Sequence, residues 1–272
     1  MLIIDAHCHA GQGDVLNAPW NTDAPLDKYL RRARVAGITK TIVVPTGHSD
    51  YATANAQLAR IVARSPDRLI GFASLHATRD AGRVREMVKQ AVTQWGLRGL
   101  KIHGYDALPT REVCEAVQAF RIPMLLDVVG RAYIIDLLAP QFRDVNFIIP
   151  HLGSFMDDWR AQQQVVDQLV RHPNVYADTA GVRRFDYLVQ AVKRAGAHKL
   201  IFGSDGPWLH PGVELAKIRA LGLPAAEEQL VLSGNVLRLI SKQQRTSPYR
   251  SAHRPSRISN ARVRGASLAS SG

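Results

Sequence analysis

The chain has 272 residues, of which 46% are hydrophobic and 21% charged, the balance of a globular protein with one large core. Its net charge of +12 suggests a nucleic-acid binder until it is located: Lys242, Arg245, Arg250, Arg254, Arg257, Arg262 and Arg264 all fall after Ile240, with no acid among them, which leaves +5 for the first 240 residues. Two cysteines, Cys8 and Cys114, exclude a disulfide framework, and no apolar run reaches the roughly 18 residues of a membrane span.

The beginning, MLIIDAHCHA, has no basic region ahead of its apolar residues and does not read as a signal peptide, and the two cysteines make a reducing cytoplasm the expected setting. Short runs rich in Ile, Val and Leu then alternate with longer amphipathic segments, eight times over. In chain order the spacing predicts strands at Leu2–Ala6, Lys40–Pro45, Leu69–Leu75 and Leu97–His103, then at Pro123–Val129, Val145–His151, Val175–Thr179 and Lys199–Ser204. It predicts helices at Pro25–Ala36, Ala52–Ala63, Arg83–Trp95 and Arg111–Phe120, then at Ala132–Leu138, Met156–Val170, Phe185–Ala195 and Pro211–Leu221. Ala225–Ile240 is a final helical segment, and Gly37, Gly96 and Gly196 stand where helices would stop on a left-handed residue. Residues 241–272 are rich in Ser and Arg, poor in large aliphatics and without a period. Such a segment cannot bury enough apolar area to offset its ordering entropy, so a disordered tail is expected after a domain of residues 1–240.

Strict alternation implies parallel strands with right-handed crossovers. Eight units fit a closed (β/α)8 TIM barrel, and HCHAGQGD after the first strand lacks the GxGxxG spacing of an open nucleotide-binding sheet. Active sites of such barrels lie at the C-terminal strand ends. There the sequence places Asp5, His7 and His9 on the first strand, His76 on the third, Lys101 and His103 on the fourth, Asp127 on the fifth, His151 on the sixth and Asp205 on the eighth. Alternation puts His7 and His9 on one face and Cys8 on the other, so both imidazoles can face one metal ion in the barrel mouth. A lysine inside LRGLKIH must either pair, with Asp127 as the obvious structural partner, or meet a ligand, because an unpaired buried ammonium is very costly.

The motifs IIDAHCHA, GLKIH, FIIPHLG, GSDGPW and EEQLVLSGNVLRLI, in this order over about residues 1–240, resemble the amidohydrolase-related family, a branch that includes non-oxidative decarboxylases. The resemblance implies that His7, His9 and Asp205 hold a divalent ion, that Asp205 also handles the proton of the attacking water, and that His151 is a ligand or polarises the scissile group. The fifth strand of this family usually ends in a metal-binding histidine. Asp127 stands there instead, either as a carboxylate ligand or with one ligand missing. Zinc is the expected ion, and because a set of two histidines and two carboxylates is harder than a His-rich one, it would accept manganese as well. The TatD-like metal nucleases also begin with His-x-His but resemble one another in a Gly-Glu motif at the fourth strand, where this chain has Lys101-Ile102-His103.

The leading expectation is hydrolysis of an ester, lactone or amide in a small, carboxylate-bearing molecule. Lys101, His103 and Arg183 are the candidate anion contacts, and Trp20 in the Gly11–Ala24 loop is a candidate substrate contact. Non-oxidative decarboxylation by the same metal site and a non-catalytic binding barrel are the alternatives. The expected partner is a small molecule. No membrane partner is expected, nucleic acid has only the basic tail to meet, and a homo-oligomer is left open.

Overall fold

The computed structural model describes residues 1–15, 23–155 and 157–241. Trp20 and the expected tail from Lys242 onward lie outside the described residues. The chain runs β1 (Ile4–Gln12), β2 (Asp23–Ala24), α1 (Leu26–Val35), β3 (Lys40–Pro45), α2 (Tyr51–Ala63), β4 (Leu69–Gly71), β5 (Ala73–Ser74), α3 (Val84–Thr93), β6 (Leu100–His103) and α4 (Arg111–Phe120). It continues through β7 (Met124–Asp127), α5 (Tyr133–Leu138), β8 (Phe147–Ile149), α6 (Trp159–Arg171), β9 (Val175–Asp178), α7 (Phe185–Ala195), β10 (Leu200–Ile201), α8 (Pro211–Ala220), α9 (Ala225–Gln229) and α10 (Asn235–Ser241). All eight predicted strands and all nine predicted helical segments are present, the last as α9 and α10 joined by a π-turn over Leu230–Gly234.

The helices form for local reasons. Asp50, Thr110 and Asp158 cap α2, α4 and α6 by accepting from free backbone N–H groups. One face of α4, with Val113, Cys114, Ala116 and Val117, is buried, as its apolar spacing requires. Gly37 and Gly96 take positive φ (83° and 66°) just after α1 and α3, where a side chain would be strained.

The strands make a parallel α/β barrel in the order of the chain. β1, β3 and β4 pair in one sheet and β5 to β10 in a second. Two seams connect them. The predicted third strand is broken at Phe72, so that β4 pairs with β3 while β5 pairs with β6, and Phe72 N donates to Val43 O at 2.9 Å. At the other seam Ala6 N donates to Phe202 O (2.9 Å), Asp205 N to His7 O (2.7 Å) and His9 N to Gly206 O (2.6 Å). The first strand runs further than Leu2–Ala6, because Gly11 and Gln12 pair with the unpredicted antiparallel β2.

A bulge in β1 decides the site. Asp5 pairs with Thr41 and Cys8 with Val43, so three steps on β1 match two on β3. Ile4 and Ala6 belong to the inner core with Ile42, Val44, Leu125, Ile148 and Ile201, closed by Val236, Leu239 and Ile240. Cys8 belongs to the outer core with Tyr29 and Val43. Unbroken alternation after Ile4 and Ala6 would turn His7 and His9 outward, and the extra residue restores them to the inside. Each fully buried aliphatic side chain in these clusters contributes about 1.5–3 kcal/mol, which holds the frame on which the polar residues sit.

Candidate metal centre

At the C-terminal ends of the strands a pocket of about 290 Å³ is lined by His7, His9, Lys101, His103, Asp127, His151 and Asp205, with Trp208, Phe155, Tyr105 and Tyr51 among its walls. A larger cavity of about 390 Å³ lies beside α1 and α2 and contains none of the sequence-predicted site residues.

The innermost group is His7, His151 and Asp205, all buried, whose ligand atoms lie within 4.8 Å of one another. Asp205 Oδ1 is 3.5 Å from His7 Nε2 and 3.3 Å from His9 Nε2. Those lengths bracket the edge of about 3.4 Å expected between ligands of a tetrahedron with bonds of about 2.1 Å. Each of the three imidazoles is tied at its other nitrogen. His7 Nδ1 donates to Asp178 Oδ2 (2.9 Å), His9 Nδ1 to Pro45 O (3.3 Å) and His151 Nδ1 to Ala180 O (2.8 Å). Carboxylate and carbonyl oxygens only accept, so the protons sit on Nδ1 and the lone pairs of Nε2 face the group. The donor set fits a divalent ion.

The fourth pocket histidine has the opposite tautomer. His103 Nδ1 accepts from Tyr105 N (3.3 Å), which leaves the proton on Nε2, 3.6 Å from Asp127 Oδ2. Asp127 also accepts from Val129 N at 3.0 Å and is not in the group of ligand atoms. Lys101 Nζ lies 3.3 Å from His7 Nε2, while the carboxylate expected to pair with it, Asp127, faces His103. Arg183 lies outside the pocket, exposed and paired with Asp157 at 2.5 Å.

The electrostatics follow from burial and these neighbours. Burial, helped by the Lys101 ammonium, lowers the pKa of His7 to about 4 against the opposing pull of Asp178 and Asp205, so the ring is neutral at pH 7. Burial pushes the Asp205 carboxyl upward, but the positive charge of the His7, His9 and His151 imidazoles when they are protonated outweighs it and holds the group well below the usual carboxylate range. The same contest at Asp127, with His103, Lys101 and His151 opposing burial, ends at about 2. Both carboxylates are ionised at neutral pH.

Backbone conformation is unusual at the same places. Asp205 (φ 56°) and His151 with Leu152 (φ 58° and 50°) occupy the left-handed region without being glycine, each at a cost on the order of 1–3 kcal/mol. Asp178 supports one of them. Its Oδ1 accepts from His151 N and Ala180 N (2.9 and 3.0 Å) while Oδ2 holds His7. Asp178 is absent from the sequence-predicted site, although its signal was present: it is an acid at the end of a predicted strand, like Asp127 and Asp205.

The sequence model of the amidohydrolase family matches residues 4–241. No curated protein sequence matches the chain significantly. Among solved structures, 2,6-dihydroxybenzoate decarboxylase from Rhizobium is similar over 89% of this chain and 99% of its own, with a TM-score of 0.69 and 17% identity. A probable 2-pyrone-4,6-dicarboxylic acid hydrolase from Acinetobacter baumannii, with citric acid bound, is similar over 89% and 100%, with a TM-score of 0.68 and 19% identity. A dihydroxybenzoic acid decarboxylase from Polaromonas sp. JS666, holding manganese and the inhibitor 2-nitroresorcinol, is similar over 90% and 98%, with a TM-score of 0.63 and 20% identity. At these identities the likeness establishes the barrel, and the match over residues 4–241 establishes more: this chain belongs to the amidohydrolase family.

Proposed function

We propose that the chain is a metal-dependent hydrolase acting on an ester, lactone or amide bond of a small, carboxylate-bearing molecule. His7, His9, His151 and Asp205 would hold one divalent ion, zinc or manganese. The observation that carries this reading is the shared tautomer of the three histidines, with Nδ1 tied by an acceptor and Nε2 turned toward one carboxylate. A divalent ion there supplies Lewis acidity, polarising a substrate oxygen and making water a nucleophile near neutral pH. Asp205, ionised and among the imidazoles, accepts the proton of the attacking water and returns it to the leaving oxygen or nitrogen. Lys101 offers its ammonium to the substrate's carboxylate at the pocket floor, and His103 offers Nε2–H beside Asp127. Trp208, Phe155 and Tyr105 give the pocket flat apolar walls suited to a planar substrate.

Non-oxidative decarboxylation is the second reading, favoured by His103 and Asp127. A carbon that loses carbon dioxide must gain a proton, and this pair stands in the same pocket as the ligand group without belonging to it. The test is a parallel assay of the zinc- and manganese-loaded protein on lactones, esters, amides and aromatic carboxylic acids, following acid release and carbon dioxide release. Metal-dependent acid release supports the hydrolase. Carbon dioxide release without hydrolysis overturns it in favour of the decarboxylase.

A further inference from the structure

Asp5 is fully buried yet absent from the pocket lining. It precedes the β1 bulge and points to the outer side of the barrel wall, toward α1. Its Oδ1 accepts from His7 N (3.1 Å) and Ser204 N (2.9 Å), and its Oδ2 accepts from Tyr29 Oη (2.5 Å) and from Ser204 Oγ. Ser204 Oγ in turn accepts from Gly206 N at 3.2 Å. One carboxylate thus grips the backbone at His7 and at the residue before Asp205, across the seam where β1 meets the segment after β10. The seam leaves no slack: a Cβ on Gly206 would lie 2.4 Å from the Tyr29 ring and 3.1 Å from Cys8 Sγ.

We propose that Asp5 is a positioning residue of the metal centre: through Ser204 it holds Asp205 in its left-handed backbone and so fixes the Asp205 carboxylate against His7 and His9. The inference rests on the metal-centre reading for its consequence, but not for its geometry. Without Asp5 the N–H and Oγ of Ser204 lose their acceptor, and the bonds from Asp205 N to His7 O (2.7 Å) and from His9 N to Gly206 O (2.6 Å) are left to hold Asp205 in its left-handed φ. The Asp205 carboxylate then leaves the 3.3–3.5 Å contacts it makes with the two imidazoles. Tyr29 shares the same carboxylate but contacts neither backbone segment through it, which makes it the control.

The experiment compares Asp5→Ala, Asp5→Asn, Ser204→Ala and Tyr29→Phe in the full chain after chelator treatment. Zinc affinity is read by competition with a chromophoric chelator, and amide exchange over 203–206 by mass spectrometry. Asp5→Ala is expected to weaken zinc binding about 10- to 100-fold and to speed exchange over 203–206. Asp5→Asn, which keeps an acceptor oxygen for both N–H groups and an amide facing the two hydroxyls, is expected to restore both to within a few-fold of the parent. Tyr29→Phe is expected to lower the melting temperature and leave zinc affinity and exchange over 203–206 as in the parent. If Asp5→Ala does not fold, Ser204→Ala replaces it, with a smaller effect in the same direction. Equal behaviour of the Asp5→Ala (or Ser204→Ala) and Tyr29→Phe proteins in both readouts overturns the proposal. Should the parent bind no zinc, the metal-centre reading fails, and the exchange comparison alone decides for or against the clamp.

Discussion

His7 Nδ1 lies 2.9 Å from Asp178 Oδ2, and both side chains are fully buried. This contact fixes the proton on the side of the ring away from the pocket and raises the basicity of the nitrogen that faces it. An amide in place of the carboxylate can present its NH₂ to His7, which favours the wrong tautomer. Asp178→Asn is therefore expected to weaken zinc binding about 10- to 100-fold, measured by chelator competition. Parent-like affinity would mean that His7 is oriented by other contacts.

The frame of this site was legible in the sequence because buried parallel strands read as apolar runs and because the ends of those runs are where polar residues concentrate. His7, His9, Lys101, His103, Asp127, His151 and Asp205 come together from five strand ends in one pocket. Other features depend on pairing partners that a single sequence does not display. The β1 bulge is a matter of register against Thr41 and Val43, and the break at Phe72 arises where β4 and β5 pair with different strands. The carboxylate of Asp127 was expected to face either an ion or Lys101, but which neighbour it meets is set by the tautomer of His103 and the turn at Val129 (φ 51°). Arg183 follows the strand carrying Asp178, yet its side chain turns outward to Asp157.

Lys101 Nζ and a metal ion would use the same lone pair on His7 Nε2. A dication and an ammonium about 4 Å apart repel by several kcal/mol at an effective dielectric constant of about 20. Lys101→Met is expected to tighten zinc binding by about tenfold or more, while raising KM for a carboxylate-bearing substrate. Chelator competition and steady-state kinetics check the two effects, and weaker zinc binding would show that Lys101 supports the ligand geometry instead of competing with it.

Asp127 and Asp205 are both ionised, buried and at strand ends, but only Asp205 lies in the group of ligand atoms. Asp127→Asn is expected to keep about one metal equivalent, as the parent would, and to lose about 10²- to 10⁴-fold in kcat if the His103 pair moves a proton. Loss of the metal from Asp127→Asn would place this carboxylate among the ligands.

Burial pushes the Asp5 carboxyl up to about 7, against the hydrogen bonds from Ser204 and Tyr29. A group raised in the folded state stabilises it fully below its unfolded pKa of 3.8, and that contribution is lost as pH rises toward 7. Asp5→Asn has no such group, and the opposing contribution of His7 is common to both proteins. Between pH 5 and pH 8 the stability difference between them is expected to move in favour of Asp5→Asn by on the order of 3 kcal/mol. Urea unfolding of the chelator-treated proteins at the two pH values measures it, and a constant difference would mean that Asp5 ionises normally.

If His7, His9, His151 and Asp205 hold an ion as proposed, the purified protein carries it. The direct measurement is the metal content of the untagged protein by plasma mass spectrometry, beside His7→Ala and Asp205→Asn. About one equivalent of zinc or manganese is expected in the parent and none in either variant. A folded parent without metal after growth in zinc- and manganese-supplemented medium would contradict the proposed site and make a non-catalytic binding barrel the better description.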